Sequence, residues 1–473
     1  MNLTADVAAT LQPGFAGTGV PAWLQRAHAA GLVSVCLYGH NVDPHEGLLP
    51  VCRELHQRMP GVLLATDEEG GDVTRLHYPG GSTAVGNGVL GRVDDLATTR
   101  AAATAIGTEL RAIGIRLDLA PSVDVNSTPD NPVIGVRSFG AQADLVARHG
   151  VAWVEGLQST GVAACAKHFP GHGDTVVDSH HGLPRVRASL EALRARELKP
   201  FRAVVEAGVA TVMTSHIVVE ALDAEQPATF SRIVIGVLRE DLGFDGVVVS
   251  DALDMAGASA ETGIPEAAVR ALAAGVDLLC LGSATGEERY AAVHAAVVDA
   301  VASGRLPQRR VTEAAARVRA LARRHETPEW TTLPDDVGAP GPEVVAPAVV
   351  ARGFGVSDAA RTWLASPAPL AVVQVDSTAN LAVGGVAWGP AALDATMPED
   401  AAPPGAKVAV VGRGIGPEHP AHAVADRLRG DGHEVVLVEC GWPRGGADLE
   451  TYGASPVVAG ALLALLRGEV ALP

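Results

Sequence analysis

The residue types best suited to chemistry are crowded together in Lys167-His168-Phe169-Pro170-Gly171-His172-Gly173-Asp174 and, just after it, Asp178-Ser179-His180-His181. A Gly- and Pro-rich segment continues neither a helix nor a strand, so these histidines and aspartates are expected on a loop, where functional groups usually sit. The apolar run Val162-Ala163-Ala164-Cys165-Ala166 in front of it reads as a buried strand. The cluster would then lie at a strand's C-terminal end, where parallel α/β enzymes keep their chemistry. In Asp178-Ser179-His180 a carboxylate two residues from an imidazole can orient the ring and raise its basicity, which suits proton transfer. The alternative for His180 is a solvent-exposed loop histidine. Lys167 and His168 suit hydrogen bonding to hydroxyl groups, and His172, between two glycines, suits buttressing of the loop.

Other polar residues follow strand-like runs: Asp67 after Leu63-Leu64-Ala65-Thr66, Asp124 after Leu119-Ala120-Pro121, His216 after Val212-Met213, and Asp251 after Val247-Val248-Val249-Ser250. In a barrel all of these converge on one mouth. Asp251 abuts four β-branched or small strand residues, so it is expected to be partly desolvated yet open, a setting from which a carboxylate attacks a sugar's anomeric carbon. A cap on the following helix is the competing reading. Asp67-Glu68-Glu69-Gly70-Gly71 runs a strand into acidic residues and a glycine pair that permits close backbone approach or positive φ; the bland alternative is an acidic turn. Arg137, flanked by glycines and apolar residues, is expected to have a defined polar partner.

The elements that would position these groups alternate between short apolar runs and helical patterns. Strand candidates are 32–37, 62–65, 116–120, 163–167, 210–214, 246–250 and 276–281, mostly continuous in hydrophobicity, as strands covered on both faces are. Helical spacing joins Val146, Gly150, Trp153 and Leu157, and again Leu190, Leu193, Phe201 and Val204. Another helix, opened by Pro265, closes at Ala274-Gly275. At least seven such units in about 320 residues predict a (β/α)8 TIM-like barrel over residues 1–325. The Pro-rich, acidic and polar stretch 326–345 reads as a linker, and strand-like runs at 370–375, 407–411 and 434–438 predict a smaller α/β sandwich domain over 346–473. Gly412, Gly414 and Gly416 hint at a dinucleotide loop, but the third glycine is misplaced and a tight turn is expected.

Composition narrows the partners. A formal charge of −18, from 36 Lys and Arg against 54 Asp and Glu, argues against a nucleic-acid-binding surface or an anionic membrane. The five cysteines, Cys36, Cys52, Cys165, Cys280 and Cys440, are widely spread and imply no disulfide framework. No signal-like start and no membrane-length apolar span is present in the sequence, so the cytoplasm is the expected compartment.

Taken together, Asp67-Glu68-Glu69-Gly70-Gly71, Val136-Arg137-Ser138-Phe139-Gly140, the Lys167 to Thr175 segment, Asp178-Ser179-His180 and Ser250-Asp251-Ala252-Leu253-Asp254-Met255 resemble glycoside hydrolase family 3. The resemblance covers about residues 12 to 325, and the His-containing loop points to the β-N-acetylhexosaminidase branch. It implies Asp251 as nucleophile, His180 oriented by Asp178 as general acid/base, and Asp67, Arg137, Lys167 and His168 as ligands of the sugar hydroxyls. It also implies a retaining, exo-acting removal of terminal β-linked N-acetylglucosamine, with cell-wall muropeptide fragments as leading substrates, no cofactor and no metal. The oligomeric state stays open. The sequence departs from many relatives at Glu68, Ala252 and Asp72, which puts substrate preference and the shape of the entrance in question. Three alternatives remain: a phosphorylase using the same site, a metal-dependent hydrolase built on His168, His172, Asp174, Asp178 and His180, and a carbohydrate-binding protein without turnover.

Overall fold

In chain order the first ten strands are β1 (Leu11–Gln12), β2 (Ser34–Leu37), β3 (Leu63–Thr66), β4 (Leu117–Asp118), β5 (Ala163–Phe169), β6 (Arg185–Val186), β7 (Thr211–Thr214), β8 (Val218–Val219), β9 (Val247–Val249) and β10 (Leu279–Cys280). The computed structural model describes residues 2–175, 182–260, 262–326, 345–377 and 382–473. Strands β2-β3-β4-β5-β7-β9 form one parallel sheet, and β1 pairs in parallel with β10. Two contacts close these eight strands into a ring: a parallel bridge between Val249 and Leu278, and a bond from the Cys36 N–H to the Pro13 carbonyl (3.0 Å). This is a (β/α)8 barrel of the TIM type. The short pair β6 and β8 stands outside the ring.

The continuous apolar runs are explained by burial on both faces. Along the strands, Cys36, Leu63, Ala65, Cys165, Met213 and Val249 pack inside the ring, and Val318, Leu321 and Ala322 of helix Gln308–Arg324 join them. Alternate residues such as Val35, Leu64, Ala164, Val212 and Val248 belong instead to the larger core shared with the surrounding helices. Each strand therefore needs apolar side chains at successive positions, which removes the alternation a half-exposed sheet would show.

Three local expectations change. Strand β1 has two residues, too few to register as a pattern, yet it completes the ring. The helix expected to join Leu190 to Val204 is two helices, Leu190–Ala195 and Leu198–Glu206, with Ser189 capping the first through the Ala192 N–H. Strand β5 runs on through Phe169, two residues past the expected 163–167, so His168 and Phe169 stand on the strand as well.

A second sheet contains β11 (Gly355–Val356), β12 (Leu370–Gln374), β13 (Lys407–Gly412), β14 (Glu434–Glu439) and β15 (Leu449–Glu450), in the order β11-β15-β14-β13-β12. All its pairings are parallel except the edge pair β11–β15. The wholly apolar helix Pro456–Leu466 is buried nearly throughout. Among the described residues, no helix is long and apolar enough to cross a membrane. The turn after β13 is closed internally: Gly414 has φ +68°, and the N–H groups of Gly414 and Ile415 donate to the Glu439 carboxylate (2.8 and 2.5 Å). A side chain of the protein itself thus fills the place a phosphate would need.

The two sheets' surroundings meet along the segment after β3. Asp72 is buried, accepts the Ala454 N–H (2.8 Å) and lies 3.8 Å from the Arg413 guanidinium, which stacks on Trp388 at 4.2 Å. The Gly385 N–H donates to the Tyr78 hydroxyl (3.1 Å). Asp72 is therefore an internal strut rather than an entrance residue.

Candidate active site

The C-terminal ends of the barrel strands surround a cavity of about 390 Å³. Asp67 and Glu69 enter it from the segment after β3. Gly70 and Gly71 turn the chain back at φ +77° and +60°, and a Cβ on Gly71 would lie 2.5 Å from the Gly86 Cα, so glycine is required there. Below the turn, Asp118 at the end of β4 accepts the Glu68 N–H (2.9 Å). Glu68 points away from the cavity lining and accepts the Thr74 hydroxyl and the Arg75 and Leu76 N–H groups (2.9, 2.7 and 2.9 Å). Its departure from the family pattern thus shapes a loop rather than the lining.

Glu69 is the hub of a buried charge network. Its carboxylate takes two bonds from Arg137, at 2.9 Å from Nε and 2.7 Å from Nη2, and faces Lys167 Nζ at 2.7 Å. Lys167 also donates to Asp67 Oδ1 (2.7 Å). Burial alone would push the Glu69 carboxyl up, but the Arg137 and Lys167 charges outweigh it and hold the group well below the usual carboxylate range. Burial likewise works against the Lys167 ammonium, and Asp67 and Glu69 more than restore it. A network of fixed opposite charges needs little rearrangement on ligand binding, because its side chains are already held in place.

Successive residues of a regular strand point to opposite faces, yet both Lys167 and His168 line the cavity. The β5–β7 register shifts between Ala166 and Phe169, so the strand is irregular at this point. His168 Nδ1 donates to Asp124 Oδ2 (2.7 Å), a tautomer assigned from the network, which leaves Nε2 facing Arg137 Nη2 at 3.4 Å. Asp124 is fully buried and also accepts the His172 and His168 N–H groups (2.7 and 3.2 Å) and the Ser122 hydroxyl (3.0 Å). Burial raises its carboxyl, but His168 and the His172 N–H prevail and hold it at about 2. His172 lines the cavity and meets the Thr175 hydroxyl (2.9 Å); burial depresses its imidazole to about 4. The loop is pressed close here, since a Cβ on Gly173 would lie 1.8 Å from the Val125 carbonyl oxygen.

Asp251 follows β9, is half-buried, and accepts the Ala252 N–H through Oδ1 (2.8 Å). It shares the cavity with Asp67, Arg137, Lys167 and His168. His216 is absent from the lining: it is fully buried, bonded to the Ala252 carbonyl (3.0 Å) and the Thr229 hydroxyl (2.9 Å), and so props the segment carrying Asp251. Asp178 and His180 lie outside the described residues. Asp174, offered above as a metal ligand, is instead bonded to Arg196 (2.5 Å) and Thr128 (2.8 Å). Among the described residues, no group of three His, Cys, Asp or Glu is arranged to hold a metal.

Several cavity residues escaped the sequence reading as site residues. Tyr38 follows β2 as Asp67 follows β3, so the same strand-end rule finds it. Glu69 was visible as a residue, but its partner Arg137 lies 68 positions away; Asp124, expected at the barrel mouth, is instead fully buried behind His168 and absent from the lining. Ala382 reaches the cavity from the segment between β12 and β13, and no local pattern could announce that.

The sequence matches the glycosyl hydrolase family 3 N terminal domain over residues 18–321. Beta-hexosaminidase A of Pseudoalteromonas piscicida is 37% identical over 281 residues, covering 55% of this chain and 47% of that protein. The chain thus spans about half the length of that curated relative. The beta-hexosaminidase of Thiobacillus denitrificans is 39% identical over 253 residues, 52% of this chain and 69% of its own. Among solved structures, a glycoside hydrolase family 3 beta-N-acetylglucosaminidase from Paenibacillus sp. str. FPU-7 aligns with a TM-score of 0.85 at 30% identity, over 100% of this chain and 98% of that one.

Proposed function

We propose that this chain, which belongs to glycosyl hydrolase family 3, removes terminal β-linked N-acetylglucosamine from its substrates with retention of configuration. The observation carrying this reading is that Asp251 opens onto the same cavity as Asp67, Arg137, Lys167 and His168. A carboxylate able to attack and a fixed set of hydroxyl-binding donors and acceptors therefore face one ligand. In the proposed first step an Asp251 oxygen bonds to the anomeric carbon while the glycosidic oxygen leaves with a proton from His180, which Asp178 orients. In the second step water gives its proton to His180 and attacks the anomeric carbon, which releases Asp251. A histidine serves here because a second carboxylate beside Asp251 would add repulsion, whereas imidazole changes between neutral and cationic. Muropeptide fragments are the natural substrates we favour.

Asp251→Ala and His180→Ala, assayed with 4-nitrophenyl N-acetyl-β-glucosaminide, should each lose on the order of a thousandfold or more in kcat. A 5-fluoro sugar should add its mass to the peptide containing Asp251. Undiminished turnover in either variant refutes the assignment. Product analysis distinguishes hydrolysis, which yields the free sugar, from phosphorolysis, which yields the sugar phosphate.

A further inference from the structure

Arg75 is 8% exposed and lines the same cavity as Asp251. A guanidinium carries five N–H donors. Nη1 donates to the Thr74 carbonyl (3.0 Å) and Nη2 to the Ala382 carbonyl (2.9 Å), so three N–H groups are left over. The Tyr78 ring centroid lies 5.9 Å from the guanidinium carbon. Lys167 and Arg137, the other buried cations of this cavity, both face carboxylates. Among the described residues Arg75 forms no ion pair; Glu68 accepts its backbone N–H instead, at 2.7 Å. A buried cation without a counter-charge is costly unless an anion arrives with a ligand, and a planar fork suits a carboxylate.

Resting on the activity proposed above, we infer that Arg75 recognises a carboxylate on the leaving group of the substrate, beyond the scissile bond. The terminal N-acetylglucosamine is neutral, and Asp67, Arg137, Lys167 and His168 supply partners for its hydroxyls, so the unmatched cation is left for the part of the substrate that departs. The preferred substrate class is then a β-N-acetylglucosaminide of an acid-bearing aglycone.

A binding measurement tests this independently of turnover. The S-linked N-acetylglucosaminide of 4-mercaptobenzoate and its neutral carboxamide would be titrated calorimetrically into the wild-type protein, Arg75→Gln and Arg75→Lys. Wild type should bind the acid about tenfold or more tightly than the amide, the range of a hydrogen bond to a charged group. Arg75→Gln should erase that gap while leaving the amide within about threefold, and Arg75→Lys, which keeps charge but not the fork, should retain part of it. Equal affinity of wild type for the two ligands, a gap that persists in Arg75→Gln, or equal weakening of both ligands would overturn the proposal, the last by making Arg75 a strut to Ala382. Turnover of the neutral chromogenic glycoside judges the activity separately, so each can fail without the other.

Discussion

Replacing Asp124 with Asn should damage both stability and turnover, and by an amount the geometry supports. The carboxylate accepts four hydrogen bonds, from His168 Nδ1, the His168 and His172 N–H groups and the Ser122 hydroxyl. An amide has one acceptor oxygen, so its NH2 must face either His168 Nδ1 or the backbone donors. In the first case the ring proton moves to Nε2, which already faces the Arg137 donor at 3.4 Å; in the second, two buried N–H groups lose their acceptor. One buried group left unsatisfied costs about 1–3 kcal/mol. Lowering of the Asp124 carboxyl from an ordinary 3.8 to about 2 corresponds to roughly 2 kcal/mol. The two routes agree on a loss of about 2–3 kcal/mol. For a carboxyl lowered in the folded state, that stability is fully present above 3.8 and disappears as pH falls through about 2. Asp124→Asn should therefore be destabilised in urea at pH 7 and approach wild type at the acid end. On 4-nitrophenyl N-acetyl-β-glucosaminide it should lose about tenfold or more in kcat/KM, because His168 is no longer held toward the sugar. Stability within about 0.5 kcal/mol of wild type at pH 7, with kcat/KM unchanged, would refute the positioning argument.

Glu197 is nearly fully buried, and burial pushes its carboxyl up to about 7 against the pull of Arg196. The folded state thus holds a proton that the unfolded chain releases from about 4.5, so stability should decline as pH rises from 4.5 through about 7. Glu197→Gln should flatten that decline, by about 3 kcal/mol across the window; an unchanged pH profile of thermal melting would contradict it. Asp72→Ala removes the acceptor of the Ala454 N–H and the carboxylate beside Arg413, and should cost about 1–3 kcal/mol. Calorimetry should then show the second sheet's unit melting earlier, and a single unshifted transition would count against the strut.

Much of the barrel was legible because its signal is local. Runs such as Val247-Val248-Val249 must be apolar throughout when one face meets the barrel interior and the other the helices, and Ser250-Asp251 marks where that burial ends. The second sheet was readable at β12, β13 and β14 for the same reason, and β11 and β15 were missed because two residues carry no period. Of the four strand-end residues, Asp67 and Asp251 line one cavity, whereas Asp124 and His216 are buried behind it, committed to His168 and His172 and to Thr229 and Ala252.

Residue type and spacing along the chain were enough to determine the family resemblance, the βα alternation and the concentration of polar groups at strand ends, since each depends on neighbours a few positions apart. Pairing was decided by tertiary structure alone. Glu69 with Arg137 and Lys167, Asp124 with His168, Asp72 with Ala454, and Arg75 with the Ala382 carbonyl bring together groups 44 to 382 positions apart, as the ring of strands and the second sheet close on one another. Which carboxylate neutralises which cation, and which cation is left for a ligand, is an outcome of that closure and leaves no local pattern to read.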